Sequence, residues 1–346
     1  MILLRNLRRV SQCLLVCVAL SPAVIRAQDQ SPDDPQVATA HDASRAEIDA
    51  AAVHTAVAKS LPYIVERGQW WIDKKKCISC HRTTFSIWAV AAADKAGLQV
   101  NRQQLGEWVD WSYDSLLQPN DDDKIVATTN LDGVAQLLHV TRGLPADEDR
   151  KTQQQQLRDY LQQGQQADGS WQPAGQLPSQ KRPKPETTWV STAWIDYFTT
   201  DQELDTQHRE LAATFLAAST PATSTEAVMM RLLLADDADR ALVLSSLLGD
   251  QHEDGGWGWV RGEESDAMAT GQVLWALALH NDPQTAAARQ RAVAWLLSNQ
   301  KDDRWEVKGT KKNKQHRVEE TATYWGTCWA VIGLLQSAES VSTAAE

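Results

Sequence analysis

The sequence predicts an all-α chain of about six helical hairpins, and three observations carry that prediction. From Glu47 onward, stretches rich in Ala, Leu, Gln and Glu alternate with polar loops, and no segment has the period-two pattern of a strand. The helical stretches fall into pairs that recur at roughly 45–60 residues, the spacing of hairpin repeats that bury each other's apolar faces. A related turn also closes the first helix of three of these pairs.

The first pair covers Glu47–Trp71 and Thr83–Ala96, and the second Arg102–Leu117 and Leu131–Val140. The third is Asp147–Gln163 with Thr187–Tyr197, and the fourth Gln207–Ala218 with Ser224–Leu234. The fifth is Ala238–Leu248 with Asp266–His280, and the sixth Pro283–Asn299 with Glu320–Leu335. The shared turn reads Gln166-Ala-Asp168-Gly169-Ser-Trp171 in the third pair and Gln251-His-Glu-Asp254-Gly255-Gly256-Trp257 in the fifth. In the sixth it reads Gln300-Lys-Asp-Asp-Arg-Trp305. Gly permits the positive φ of a helix C-terminus, Gln can bond orphan backbone groups, and Trp packs between hairpins while its N–H finds a partner.

The ends of the chain read differently. Arg5, Arg8 and Arg9 precede the apolar run Cys13–Leu20, and Ile25-Arg26-Ala27 offers a cleavage site, so residues 1–27 are read as a secretory signal peptide. That run is shorter than a membrane span, which takes about 20 apolar residues, so no transmembrane helix is expected after cleavage. Residues 28–45 form a polar, Pro-containing tether, 46–338 the helical domain, and 339–346 a disordered tail. A periplasmic or secreted location follows. Loss of the signal lowers Lys+Arg from 34 to 30 against 45 acids, a net charge of about −15 that argues against nucleic acid as a partner.

Cys13 and Cys17 lie in the signal, which leaves Cys77, Cys80 and Cys328. Cys77-Ile-Ser-Cys80-His81 has the attachment pattern of c-type haem: two thiols that can add to the two vinyl groups of one porphyrin, and an adjacent imidazole as axial iron ligand. It occupies the loop of the first hairpin, within residues 73–82, and Trp70 and Trp71 precede it with indoles available to pack on a porphyrin face. A Cys77–Cys80 disulfide and a zinc site on Cys77, Cys80 and His81 are the alternatives, the latter lacking a second Cys/His pair. Cys328 and Met229, Met230 and Met268 read as core residues.

The turns resemble the QW repeats of squalene–hopene cyclases, whose α/α barrels are related to protein prenyltransferase β subunits. Two inner-helix segments resemble the same repeats: Ser265-Asp266-Ala-Met-Ala-Thr270-Gly271-Gln272-Val-Leu-Trp275 and Thr321-Ala-Thr-Tyr-Trp325-Gly-Thr-Cys-Trp329. The resemblance covers most of the chain from about residue 50, weakest in the second and fourth hairpins, and implies an (α/α)-toroid. The cyclase acid motif Asp-x-Asp-Asp is not intact. Its nearest match, Asn120-Asp121-Asp122-Asp123, lacks the first Asp and sits in a polar loop. Cys328 and His280 are present, but no spacing supports a prenyltransferase zinc trio.

The outer-to-inner loops of such a toroid emerge on one rim, which puts the haem there. His316 in the sixth loop, or His252 in the fifth, is the candidate distal ligand. Lys74–Lys76, Lys181, Arg182, Lys184, Lys308, Lys311, Lys312, Lys314 and Arg317 fall in the same loops, a field suited to an acidic redox partner. The leading expectation is an electron-transfer or redox-sensing haem protein without catalytic residues. The alternatives are a scaffold whose cavity binds a hydrophobic ligand or protein segment, and a terpenoid cyclase-like enzyme.

Overall fold

Polar loops end where side chains cap helices. Asp49, Asn101, Asp147, Asp205, Ser224, Asp236 and Asp266 each accept a first-turn N–H that a helix would otherwise leave unpaired. A computed structural model describes residues 48–76, 78, 82–174, 180–199, 203–218 and 222–342. Among them are twelve α-helices. The first six are α1 (Ala50–Lys75), α2 (Thr83–Lys95), α3 (Arg102–Leu116), α4 (Leu131–Val140), α5 (Glu148–Gly164) and α6 (Lys184–Phe198). The others are α7 (Thr206–Leu216), α8 (Thr225–Leu234), α9 (Asp237–Gly249), α10 (Ala267–His280), α11 (Ala286–Asn299) and α12 (Glu320–Ser342). The described residues form no β-strand, only isolated bridges between loops. No described helix is long and apolar enough to cross a membrane.

These helices are the six expected hairpins, with ends shifted by a few residues. The clearest difference is α12, which runs past Leu335 to Ser342. Its last turns are held by its own hairpin and the one before, since Arg289 Nη1 of α11 donates to Ser340 Oγ at 2.7 Å and Asn281 Nδ2, at the end of α10, donates to the Ser340 carbonyl at 3.2 Å. The inner helices α2, α4, α6, α8, α10 and α12 pack on one another in that order, and α12 returns to α2. That adjacency closes the ring and makes the architecture an (α/α)-toroid.

The repeated turn is the device that joins hairpins. Gln165 Nε2 donates to the Gly169 carbonyl at 3.0 Å within its own turn and to the His208 carbonyl of α7 at 2.9 Å. Gln251 does the same toward Gly255 (2.8 Å) and Ala288 of α11 (2.9 Å). Gln300 reaches the Ala56 carbonyl and Ser60 Oγ of α1, both at 2.8 Å, and so ties the last hairpin to the first. The expected Gln166 is not the joining residue, because its Nε2 turns back to the Gly164 carbonyl. Gln165, like Gln251, stands six residues before the turn's Trp. Each Trp is fully buried and donates Nε1–H to a carbonyl of its own outer helix: Trp171 to Leu161 (2.8 Å), Trp257 to Leu247 (2.9 Å) and Trp305 to Leu296 (2.7 Å). Gly255 has φ 95°, and a Cβ there would stand 2.7 Å from the Arg291 carbonyl oxygen, so the close approach to α11 requires glycine.

Because outer and inner helices alternate, the inner six run parallel and present their N-termini on one rim. Three loops roof that rim. The α5–α6 loop meets the α11–α12 loop through the Gln180–Lys311 bridge and the Lys181 N–H to Thr310 carbonyl bond of 2.9 Å. The α9–α10 loop joins them through the Lys181–Glu263 and Lys308–Glu264 ion pairs.

Candidate functional site

Cys77, Cys80 and His81 lie outside the described residues, but both flanks of their loop are anchored. On the first side α1 ends at Lys75, and Lys76 takes a left-handed backbone (φ 47°) that turns the chain away. Ile78 is buried, and its carbonyl accepts from Asn130 Nδ2 at 3.4 Å, which joins the loop to the next hairpin. On the other side Arg82 is buried completely. Its guanidinium lies between the rings of Trp71 (4.7 Å) and Tyr324 (4.6 Å). Both terminal nitrogens of Arg82 bond Glu320 at the start of α12, Nη1 at 2.9 Å, and Arg67 Nε and Nη2 reach the same carboxylate at 3.2 and 3.1 Å. Two guanidiniums hold the Glu320 carboxyl below its ordinary range against the desolvation that would raise it.

Trp70 and Trp71 lie near the end of α1, tilted with centroids 6.4 Å apart. Each carries an arginine on a ring face, Arg67 at 4.4 Å from Trp70 and Arg82 on Trp71. Arg82 Nε and Thr83 Oγ1 are buried without a partner among the described residues.

The remaining expected residues are scattered. His316 is exposed in the α11–α12 loop beside Gln315 (3.1 Å), and His252 bonds Ser265 Oγ at 3.0 Å in the α9–α10 loop. Cys328 is buried in α12, where desolvation pushes its thiol well up; Met229, Met230 and Met268 are core. Asp121, Asp122 and Asp123 are exposed in the α3–α4 loop. The basic rim is weaker than its composition suggests. Lys181, Lys308 and Lys314 pair with Glu263, Glu264 and Glu319, and Arg182 is buried against Glu226. Lys74, Lys75, Lys76, Lys312 and Arg317 remain exposed.

The axis of the ring holds a second site that sequence reasoning missed. Phe85 and Trp88 of α2, Trp194 and Phe198 of α6, Trp275 of α10 and Trp329 of α12 pack ring on ring, with centroid separations of 4.8–5.9 Å. Between these rings and the roof lies a polar layer. Thr84 Oγ1 donates to Gln136 Oε1, and Ser191 Oγ donates to Asp132 Oδ1. Arg182 pairs with Glu226, whose Oε1 also accepts from Trp194 Nε1 (2.8 Å) and Gln272 Nε2 (3.2 Å). Burial raises the Asp132 carboxyl to about 6, against the smaller lowering effect of the Ser191 bond, and raises that of Asp266, the α10 cap, to about 6. The available signal was an acid inside the apolar run Leu131-Asp132-Gly133-Val134, which reads equally well as an ordinary first-turn acid.

A cavity with about 40 Å³ of water-accessible space remains in this layer, lined by Asp132, Arg182, Glu226, Trp194, Phe198 and Trp325, among others. Ligand pockets for drug-sized molecules run to roughly 300–1,000 Å³, so the packed bore leaves no room for a terpenoid in this conformation.

Comparison with known proteins agrees with the fold. The family model of the squalene–hopene cyclase C-terminal domain matches residues 217–346. A type II terpene cyclase from Scytonema, solved with geranylgeranyl dihydroxybenzoate, superposes with a TM-score of 0.55 at 13% identity, over 84% of this chain and 99% of that one. A polysaccharide lyase superposes with a TM-score of 0.55 at 9% identity, over 85% of this chain and 98% of that one. No curated protein matches by sequence. The chain is thus an (α/α)-toroid, and its residues 217–346 match the squalene–hopene cyclase C-terminal domain.

Proposed function

We propose that the protein is an exported c-type haem protein built on a terpene-cyclase-type toroid, serving electron transfer or redox sensing. Cys77 and Cys80 would hold the porphyrin covalently, and His81 would bind the iron as axial ligand. The single observation that carries the reading is the Cys-x-x-Cys-His motif, joined to an N-terminal export signal in one chain.

The surroundings of the loop fit such a group. Asn130 fastens it on one side and the Arg82–Glu320 pair on the other, so it leaves the helices from fixed points. Arg82 Nε and Thr83 Oγ1, buried and unpartnered among the described residues, are hydrogen-bond donors that the carboxylates of a haem could satisfy. Bound haem supplies one-electron chemistry at its iron. The chain's share is to orient His81, to hold cationic side chains beside the group, and to offer Lys74, Lys75 and Lys76 as exposed charges to an acidic partner. His316 is the preferred distal ligand because its loop belongs to the hairpin adjoining the first, with His252 next.

A pyridine haemochrome spectrum of protein expressed with an export pathway and haem-maturation machinery tests the reading. The expected result is a c-type spectrum in the wild type that is absent from Cys77→Ala/Cys80→Ala. A wild type without covalent haem would leave a disulfide or a zinc site as the use of the motif.

A further inference from the structure

The cavity beneath the roof is unusual in its hydrogen-bond accounts. Glu226 is neutralised by Arg182 and accepts two further N–H groups. Asp132 accepts the Ser191 hydroxyl on Oδ1, has weaker backbone contacts from its own residue and Ala174, and shares the Arg182 charge with Glu226. Its Oδ2 is buried and unpartnered among the described residues, in a residue only 9% exposed. Gln272 Oε1, 1% exposed, is a second orphan acceptor, and its orientation is fixed because Gln272 Nε2 faces the Glu226 carboxylate. Around this carboxyl stand the rings of Phe85, Trp194, Phe198 and Trp325.

Orphan acceptors require donors, two buried carboxylates (Asp132, Glu226) beside one guanidinium (Arg182) leave one negative charge over, and aromatic walls attract a cation through their ring faces. A bare metal ion meets too few oxygens or imidazoles, as no group of three or more His, Cys, Asp or Glu among the described residues could hold one. The space of about 40 Å³ exceeds the roughly 10–15 Å³ that admits one water and suits a group of very few atoms. We propose that this cavity, formed by Asp132, Ser191 and the rings of Trp194 and Trp325, is a binding site for a small alkylammonium group. Donors on the ammonium nitrogen would satisfy Asp132 Oδ2, and its methyl or methylene groups would lie against the indoles. The site uses no residue of the Cys77–His81 loop, so its fate and that of the haem reading are separable.

The test is a titration of full-length protein at pH 7.5 with methylammonium chloride, followed by tryptophan fluorescence, against sodium chloride at matched ionic strength. The expected result is a saturable change with methylammonium alone, weakened at least about ten-fold in Asp132→Asn, the size of loss expected when a buried charge partner is removed. No saturable response, an equal response to sodium, or an equal response in Asp132→Asn would overturn the proposal. If Asp132→Asn fails to fold, the wild type is titrated at pH 5. The other charged groups at the cavity, Arg182 and Glu226, form an ion pair, so the carboxyl with a midpoint of about 6 governs the difference. Binding about ten-fold weaker than at pH 7.5 is expected, and equal binding at both pH values would overturn the proposal.

Discussion

Replacing Gln300 by Ala removes the hydrogen bonds that tie the last hairpin of the ring to the first. Gln300 Nε2 donates to the Ala56 carbonyl and to Ser60 Oγ, both at 2.8 Å, and Ser60 is fully buried. Each bond contributes about 1 kcal/mol net, and part of the desolvation cost of the abandoned acceptors adds to that, for a total of about 2–3 kcal/mol. For a chain this long each kcal/mol moves the melting midpoint by roughly 2 °C, so a fall of about 4–6 °C is expected. Differential scanning calorimetry of four variants makes the comparison internal. Gln165→Ala and Gln251→Ala remove equivalent links elsewhere in the ring and should fall by similar amounts. Gln166→Ala, whose side chain reaches only the Gly164 carbonyl at an exposed position, should stay within about 1 °C of wild type. If Gln166→Ala is as damaging as Gln165→Ala, or Gln300→Ala is silent, then the turns do not join the hairpins as described.

Three further outcomes follow from the packing and the buried acids. A Cβ at Gly271 would sit 2.5 Å from the Trp329 backbone, so Gly271→Ala should push α10 from α12 and cost about 2 kcal/mol or more in urea unfolding; a neutral result would contradict the close crossing. Asp132, raised to about 6 from 3.8, binds its proton more tightly folded than unfolded, so its contribution is favourable below about pH 4 and is lost as pH rises through 6. Asp132→Asn should therefore gain on wild type between pH 4.5 and pH 7.5, by about 2–3 kcal/mol; a pH-independent difference in urea midpoint would refute the buried acid. Arg82→Lys keeps the charge but loses the paired contact with Glu320 and the stacking on Trp71 and Tyr324, and a loss of about 2 kcal/mol in thermal unfolding is expected; unchanged stability would refute that anchoring role.

The fold was legible in the sequence because its instructions are local. A capping side chain stands before seven of the helices, and the turn glycines and tryptophans fall at repeated offsets. The misassignment of Gln166 arose between two adjacent glutamines, and the spacing to the Trp does not tell them apart, since the joining Gln300 stands five residues before Trp305 while Gln165 and Gln251 stand six before theirs. The polar layer was not legible, since Asp132, Ser191 and Glu226 come from three different inner helices and have no common spacing. The lysine-rich loops misled for a related reason. Glu263 and Glu264, which neutralise Lys181 and Lys308, lie in another hairpin's loop and meet those lysines only when the ring forms the roof.

Intact mass spectrometry of the mature exported protein, purified from cells with the haem-maturation machinery, bears most directly on the central claim. One covalent haem on Cys77 and Cys80 predicts a mass above that of the cleaved polypeptide by a single haem, and the bare polypeptide mass for the double alanine variant. A wild-type mass equal to the polypeptide, or lower by only two hydrogens, would contradict the account.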